Sequence, residues 1–512
     1  MPHSDTIFQK ESFQPAVFAV FAALATVYAA LFFFLYPCVP WNCDDWTYLG
    51  LFHPLLPDVA RWNPARIFQE FFMPLSGYVA AYIVRPFFGL GYLEALTLTC
   101  SALAFAAWLL LSVFAYRFFF AVAGGSRVPA LCGLLLLNAG FFLAHPILRL
   151  PLVISEPAPS ILFAYDVPNI LNAVLALTLW RAIVGDANTE SFFSTPVSVS
   201  AAQKHAVALG LGLIVIYFAQ FSMTIASVIS AIPAGSLLLF RLTRHFRASR
   251  HAKNAGGECF TSIARKITFL DLFCCVLVAF WFIAALYDLQ GGRYDSLSPA
   301  QQSFFALLAL YIRALGAYIP LWLWLTLPIL IMANIGILIR DRKNGTHSAD
   351  NDALRIFLGV MGASFVLLLT LNMLIFHMTK IGLDNRFLFG LVFYVYVTLI
   401  VNALLLQKRV PLALVGILPL PLLLLGNVAL AEPWTPRPAF YAEYRKSIVQ
   451  AWLDEVTAAD RAGKSEGVIR TPTQYWPHPK DYLGDRLART LFHHGITSKH
   501  MTIQTESPDR TE

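Results

Sequence analysis

Long apolar runs alternate with shorter polar stretches over the first 431 residues of the chain. Several runs reach about 20 residues, the length at which an α-helix crosses about 30 Å of hydrocarbon. The runs are continuous and lack the period-two alternation of barrel strands, so the pattern predicts an all-α polytopic membrane protein. The predicted spans lie at 15–37, 92–115, 128–145, 167–184, 205–221, 222–240, 268–288, 318–339, 356–376, 387–407 and 410–431.

The loops between these runs predict the orientation of the chain. If the N-terminus is inside, the inner loops hold eighteen lysines and arginines. The outer loops before the tail then hold eight. The positive-inside rule therefore favours N-in and C-out for about eleven spans. The apolar segment 76–91 contains Arg85 and Pro86 and is either a twelfth span or an in-plane helix. We prefer the in-plane helix, because a further span would break the charge alternation downstream.

The composition is typical of a membrane protein and indicates which classes of partner it binds. The 512 residues are 58% hydrophobic and 13% charged, about half the charged fraction of a soluble domain. The net charge of +7 is explained by basic inner loops facing anionic lipid, so we predict membrane lipids and no nucleic acid as partners. The tail 432–512 is polar, with an apolar residue every fourth position from Phe440 to Val456 and a second short helix near Asp481 to His494. We predict two units: a membrane module, 1–431, and a small soluble helical appendage on the outer face, 432–512.

The first outer loop, 38–91, concentrates polar residues that a membrane chain rarely carries without a use. Asp44 and Asp45 stand between Trp41 and Trp46. Asn63-Pro64 then predicts a helix start, and the helix that follows has an apolar face typical of a segment lying in the interface. The loop residues assigned to substrate binding are Trp41, Trp46, Tyr48, Arg61, Arg66 and Glu70.

Two adjacent carboxylates are suited to activating a hydroxyl. One can take the proton as the hydroxyl attacks a sugar carbon, which contributes on the order of 100- to 10,000-fold. We therefore assign Asp44 and Asp45 as catalytic, without deciding which is the base. The alternative is a solvated turn that caps a helix. The flanking aromatic residues suit either sugar stacking or the interfacial belt. Cys38 and Cys43 form either a local disulfide or two free thiols.

An acidic pair directly after the first span, followed by in-plane helices, resembles the GT-C superfamily. These are multi-span glycosyltransferases that use lipid-phosphate sugars, including protein O-mannosyltransferases and bacterial relatives. The run Asn385-Arg386-Phe387-Leu388-Phe389, leading straight into a span, looks like a late segment of those bacterial relatives. Eleven spans with N-in and C-out are also similar to the O-mannosyltransferase layout. The resemblance covers residues 1–431 by architecture, leaves out the tail, and names no sugar.

The resemblance implies a donor phosphate that needs cations at the outer interface. Arg386, Lys380 and Arg313 are the candidates, and interfacial snorkelling is their alternative role. Asp166 is either a further substrate-binding carboxylate or a helix cap. We predict no cofactor and prefer metal-free chemistry to a divalent ion on Asp44 and Asp45, because no set of residues has metal-ligand spacing.

The sequence thus predicts a bacterial inner-membrane glycosyltransferase with its active site on the periplasmic face. It would move a sugar from a polyprenyl-phosphate donor to a glycan, lipid or protein acceptor of the cell envelope. The alternatives are a transporter or flippase of lipid-linked glycans and an O-antigen polymerase or ligase. A transporter would place its polar residues at mid-membrane depth, and a polymerase would not need the acidic pair so close behind the first span.

Overall fold

A computed structural model describes most of the chain. The described ranges are 15–56, 65–142, 157–185, 206–254, 268–291, 305–306, 309, 321–343, 358–370, 385–407, 442–471 and 482–506. Every residue-level statement below concerns these ranges.

Helices dominate the described residues. Seven are long and apolar enough to cross a membrane: Pro15–Leu35 (α1), Phe68–Phe88 (α3), Tyr92–Val122 (α4), Pro159–Val184 (α6), Thr224–Thr243 within Thr224–Asn254 (α8), Phe269–Leu289 (α9) and Phe389–Gln407 within Asn385–Gln407 (α12). Three apolar helices are shorter: Arg127–Phe142 (α5), Ala206–Gln220 (α7) and Leu358–Thr370 (α11). The remaining helices are Cys43–Leu49 (α2), Leu321–Lys343 (α10), Ala442–Arg461 (α13) and Leu483–His493 (α14). The predicted class, an all-α membrane protein, is confirmed at this level.

The predicted spans from 15–37 to 387–407 all coincide with helices of the structure. The predicted span 410–431 lies outside the described residues. The agreement follows from the physics of the runs, because an apolar segment of this length satisfies its backbone groups internally only as a helix.

The segment after the first outer loop differs from the prediction in extent. A single helix, α3, runs over Phe68–Phe88 and includes most of the predicted segment 76–91. Its two turns Phe68–Phe72 and Ala80–Val84 are π-helical, and Pro74 and Pro86 follow them closely. Widening a turn relieves the clash between a proline ring and the carbonyl four residues earlier, so the helix continues past both prolines. Gly89, at φ 65°, then ends it in the left-handed conformation.

Aromatic and amide side chains join the helices of the bundle. Trp180 of α6 stacks on Phe393 of α12, with ring centroids 6.2 Å apart. Asn334 of α10 donates to the Oδ1 of Asn402 of α12 at 3.0 Å, and Tyr28 of α1 hydrogen-bonds to helices on two sides. Such interhelical bonds specify neighbours where lipid supplies no hydrophobic driving force.

The C-terminal appendage is mixed rather than purely helical. The predicted amphipathic helix is present as α13, and the second short helix as α14. Two strands, Glu466–Arg470 (β1) and Thr502–Glu506 (β2), pair in parallel with Glu466 opposite Thr502. Parallel strands need a crossover, which α14 supplies. At Gly484 a Cβ would lie 1.9 Å from the carbonyl oxygen of Ile503, so only glycine allows α14 to cross this close to β2.

Candidate functional site

The acidic pair lies in the first turn of a helix. Asn42 is the N-cap of α2, and its side-chain oxygen accepts from the backbone N–H of Asp45 at 2.9 Å. The Asp45 carboxylate accepts in return from the backbone N–H of Asn42 at 2.9 Å. This reciprocal pattern is a capping box, so Asp45 takes part in capping a helix, although Asn42 is the N-cap and Asp45 is buried rather than solvated.

Asp45 also ties the first loop to the membrane bundle. Its carboxylate accepts from the backbone N–H of Trp41 at 2.6 Å and from that of Ser160, in the first turn of α6, at 2.7 Å. The residue is fully buried. Burial raises the pKa of this carboxyl to about 6, against the opposing effect of the backbone donors. Both oxygens are thus occupied by main-chain groups, which gives Asp45 a positioning role.

Asp44 has a different environment although it is the next residue. It is half-buried, and within the described ranges its carboxylate forms no hydrogen bond or ion pair. It lies close to Tyr482, just before α14, and its charge helps to raise the pKa of that phenol after the larger effect of burial. Asp44 is therefore the carboxylate of the pair whose oxygens are available to a ligand.

Trp41, one of the aromatic residues that flank the acidic pair, is covered by the appendage. Trp41 is buried and stacks on Trp452 of α13, with centroids 6.3 Å apart and planes at 15°. The guanidinium carbon of Arg445 lies 5.7 Å from the centroid of a Trp41 ring. Trp46 is buried too, whereas Tyr48 is half-buried. The Trp41 indole therefore lies in the seam between the loop and the appendage, and its predicted contact with substrate stays a prediction.

Sequence reasoning missed Arg445. This arginine is buried and donates from Nη1 to the carbonyl oxygen of Pro157 at 3.1 Å, an oxygen that also accepts from the backbone N–H of Val39. The signal was available, because Arg445 shares the buried stripe of α13 with Val449 and Trp452. A charge on an apolar helix face predicts a specific partner.

The remaining loop residues with a predicted role contact different side chains. Arg66 donates from Nη1 to Gln69 at 2.8 Å, and its guanidinium carbon lies 6.0 Å from the ring centroid of Tyr165. The carboxylate of Glu70 lies 3.9 Å from Nδ1 of His53. Arg61 lies outside the described residues.

Asp166 lies on α6, at the end of the π-helical turn Leu162–Asp166, and is half-buried. Burial raises the pKa of the Cys38 thiol, a hydrogen bond with Cys100 adds to this, and the charges of Asp45 and Asp166 act in the same direction. Asp45 and Asp166 therefore lie around one thiol, near the end of α1 and the start of α6. Neither Cys38 nor Cys43 is in a disulfide, so the disulfide alternative does not hold.

Of the three predicted phosphate ligands, the structure describes only the backbone of Arg386. Arg386 was predicted in the loop just before a span and lies in the first turn of α12, although its side chain is not among those described. Lys380 and Arg313 lie outside the described residues. One turn further on, Phe389 is buried and stacks on Phe141 at 5.0 Å, so this end of α12 packs into the bundle.

In the described part of the chain, no group of three or more His, Cys, Asp or Glu side chains is placed to hold a metal ion. The comparisons with known proteins add no assignment: neither a protein-family model nor a curated protein matches the chain.

Proposed function

We propose that this protein is a GT-C-type membrane glycosyltransferase that moves a sugar from a polyprenyl-phosphate donor to a hydroxyl of an envelope glycan, lipid or protein. Asp44 is the observation that carries the proposal. A half-buried carboxylate with no hydrogen-bond partner among the described residues is held at the end of the first apolar helix by its buried neighbour. A carboxylate in this state is suited to taking a proton from a bound hydroxyl.

The proposed reaction is a single displacement. The acceptor hydroxyl gives its proton to Asp44 while its oxygen attacks the anomeric carbon of the donor sugar. The bond from that carbon to the phosphate oxygen breaks, and the lipid phosphate leaves as a monoester. Arg386, Lys380 and Arg313 would bind the phosphate as negative charge develops on it.

We further propose eleven spans with N-in and C-out, in the inner membrane of a bacterium. α8 and α9 support alternating directions: Thr224 hydrogen-bonds to Asp288 at one end of the pair, and Arg241 donates to Asp271 at 2.9 Å at the other. The end with Arg241 continues into the basic segment after Thr243, which the positive-inside rule places in the cytoplasm.

α3 lies in the membrane plane in this arrangement, although its length alone would allow a crossing. Before its first residue, the N–H of Ile67 donates to the carbonyl oxygen of Phe221, just past the end of α7. Its last residue is followed closely by the start of α4 at Tyr92. Because α4, α5, α6 and α7 alternate in direction, the start of α4 and the end of α7 lie on the same side, and a helix joining them runs along that side.

The first experiment compares Asp44→Asn with the parent protein in detergent micelles. The substrates are synthetic short-chain polyprenyl-phosphate monosaccharides, and the readout is release of the lipid phosphate. We expect the variant to lose at least about 100-fold in rate, because a general base contributes on that order, with an unchanged melting temperature. Asp485→Asn is the matched control, because Asp485 is exposed and pairs with Arg489 on the appendage.

Full activity in a folded Asp44→Asn protein would remove the assignment of the base. A parent protein that releases no lipid phosphate from the monosaccharide donors, yet extends diphosphate-linked oligosaccharides, would favour the polymerase alternative. Movement of a labelled lipid across proteoliposomes without sugar transfer would favour the flippase.

A further inference from the structure

The appendage helix α14 lies against α2, the helix that carries the acidic pair. Near one end of the contact, Thr490 donates from its hydroxyl to the carbonyl oxygen of Trp46 at 2.7 Å. A Cβ on Gly50 would lie 2.3 Å from that hydroxyl, which shows how closely the two chains approach. At the other end, Tyr482 lies close to Cys43 and Asp44, whose charges help to raise the pKa of its phenol after the larger effect of burial. The two helices therefore run parallel, with Tyr482 near the turn that contains Asp44.

Polar side chains of the appendage line this contact, and one of them carries a buried donor without a partner in the described part of the chain. Tyr482, Arg486 and Thr490 are spaced four residues apart, so they share one face of the segment. The Nε of Arg486 is buried and has no hydrogen-bond partner within the described part of the chain. The carboxylate of Asp44, which has no partner among the described residues, lies close to the phenol of Tyr482. Leaving a buried donor unpaired is destabilising, so such a group calls for an explanation.

We propose that the acceptor binds between Asp44, Tyr482 and Arg486, and that it is a sugar with neighbouring hydroxyl groups. The inference rests on the proposed transferase function and deepens it. A pair of neighbouring hydroxyls offers one proton to Asp44 while its second oxygen accepts from Arg486 or Tyr482. A serine or threonine of a protein acceptor has only one hydroxyl and leaves the arginine unpaired. Asp44 acts as the base, and the two appendage residues are positioning residues that act on the acceptor.

The test separates acceptor binding from donor chemistry. Tyr482→Phe and Arg486→Gln are assayed with a polyprenyl-phosphate monosaccharide donor in two ways: hydrolysis, where water is the acceptor, and transfer to methyl glycosides. We expect the acceptor KM to rise at least tenfold in both variants. Donor KM and the hydrolysis rate should stay within about twofold of the parent, which a merely destabilised protein would not show.

Controls keep the outcomes distinct. Arg489→Gln removes an arginine that pairs with Asp485, and it should leave the acceptor KM unchanged. Arg486→Lys, which keeps the charge, serves if the glutamine variant does not fold, and it should restore part of the acceptor affinity. An unchanged acceptor KM in folded Tyr482→Phe and Arg486→Gln overturns the inference while leaving the transferase intact. Preferential transfer to a serine peptide also overturns it, whereas a parent protein with no donor hydrolysis at all overturns the proposed function itself.

Discussion

The adjacent residues Asp44 and Asp45 have the same side chain but different surroundings in this protein. On a helix, adjacent side chains diverge by about 100°, so Asp44 and Asp45 meet different surroundings. Asp45 accepts three backbone N–H groups and is fully buried, while Asp44 borders the appendage. Because the two side chains diverge, Asp45 fixes the loop, and Asp44 is the carboxylate that we propose as the base.

Asp45 makes a testable contribution to stability. Its pKa in the folded protein is about 6, above the ordinary value of 3.8, because burial disfavours the charge. The folded state thus holds this proton more tightly than the unfolded state, so the stabilisation is full below about pH 4 and is lost as pH rises through 6. The rise corresponds to roughly 3 kcal/mol. We expect the stability advantage of the parent over Asp45→Asn to shrink between pH 4.5 and 7.5, measured as the difference in melting temperature.

Asp485→Asn serves as the control for this comparison, since its carboxylate is about half exposed and its difference from the parent should not follow the same trend. A parent-to-variant difference that stays constant over the whole pH range would contradict the assignment of a buried, titrating Asp45.

At the scale of elements, the contact of α14 and the residues just past it with α3 and the start of α4 decides where the appendage lies. His494, just past α14, is buried, and its Nδ1 lies 2.6 Å from the hydroxyl of Tyr92 on α4. Tyr82 of α3 donates to the backbone carbonyl of His493 at 3.0 Å. The carbonyl of Leu49 and the rings of Tyr78 and His493 also face this histidine. The appendage is therefore attached to both α3 and α4 through one histidine pair.

This attachment should weaken in acid. Burial lowers the pKa of His494 from 6.5 to about 4, so the folded protein keeps the ring neutral. The unfolded or undocked state takes up a proton below about 6.5, and the stabilisation is lost as pH falls from there towards 4. We expect hydrogen exchange in α14, corrected for the intrinsic rate, to speed up between pH 7 and 5. His494→Gln should reduce this dependence, while exposed His500→Gln should keep it.

If the pH dependence survives unchanged in His494→Gln, the attachment titrates through another group. The separate behaviour of His494 and Asp45 is informative, because the first destabilises the protein in acid and the second does so as the pH rises.

At the scale of the whole molecule, the ends of several described helices meet at one site. The start of α6 bonds to Asp45, the appendage bonds to Pro157, and α3 and α4 contact His493 and His494. The proposed base thus lies where the first loop, the bundle and the appendage come together. This convergence supports the proposed arrangement, in which α3 does not cross the membrane and the C-terminus lies outside.

Fusions report this topology directly. Alkaline phosphatase, which is active only in the periplasm, should be active when fused after residue 56, after residue 91 and at the C-terminus. A fluorescent protein should be bright after residue 254. A bright fluorescent fusion and an inactive phosphatase after residue 91 would show that α3 crosses the membrane and would invalidate the in-plane arrangement.

The sequence by itself determined the helices and their apolar runs and the amphipathic stripe of α13. These are local properties, since hydropathy and capping depend on residues within a few turns of each other. Only the tertiary structure decided that Asp45 is buried, that Trp41 stacks on Trp452, and that β1 pairs with β2. The hydrogen bond from Thr490 to Trp46 joins residues 444 positions apart. Contacts at that separation depend on how the bundle packs, and no periodicity along the chain encodes them.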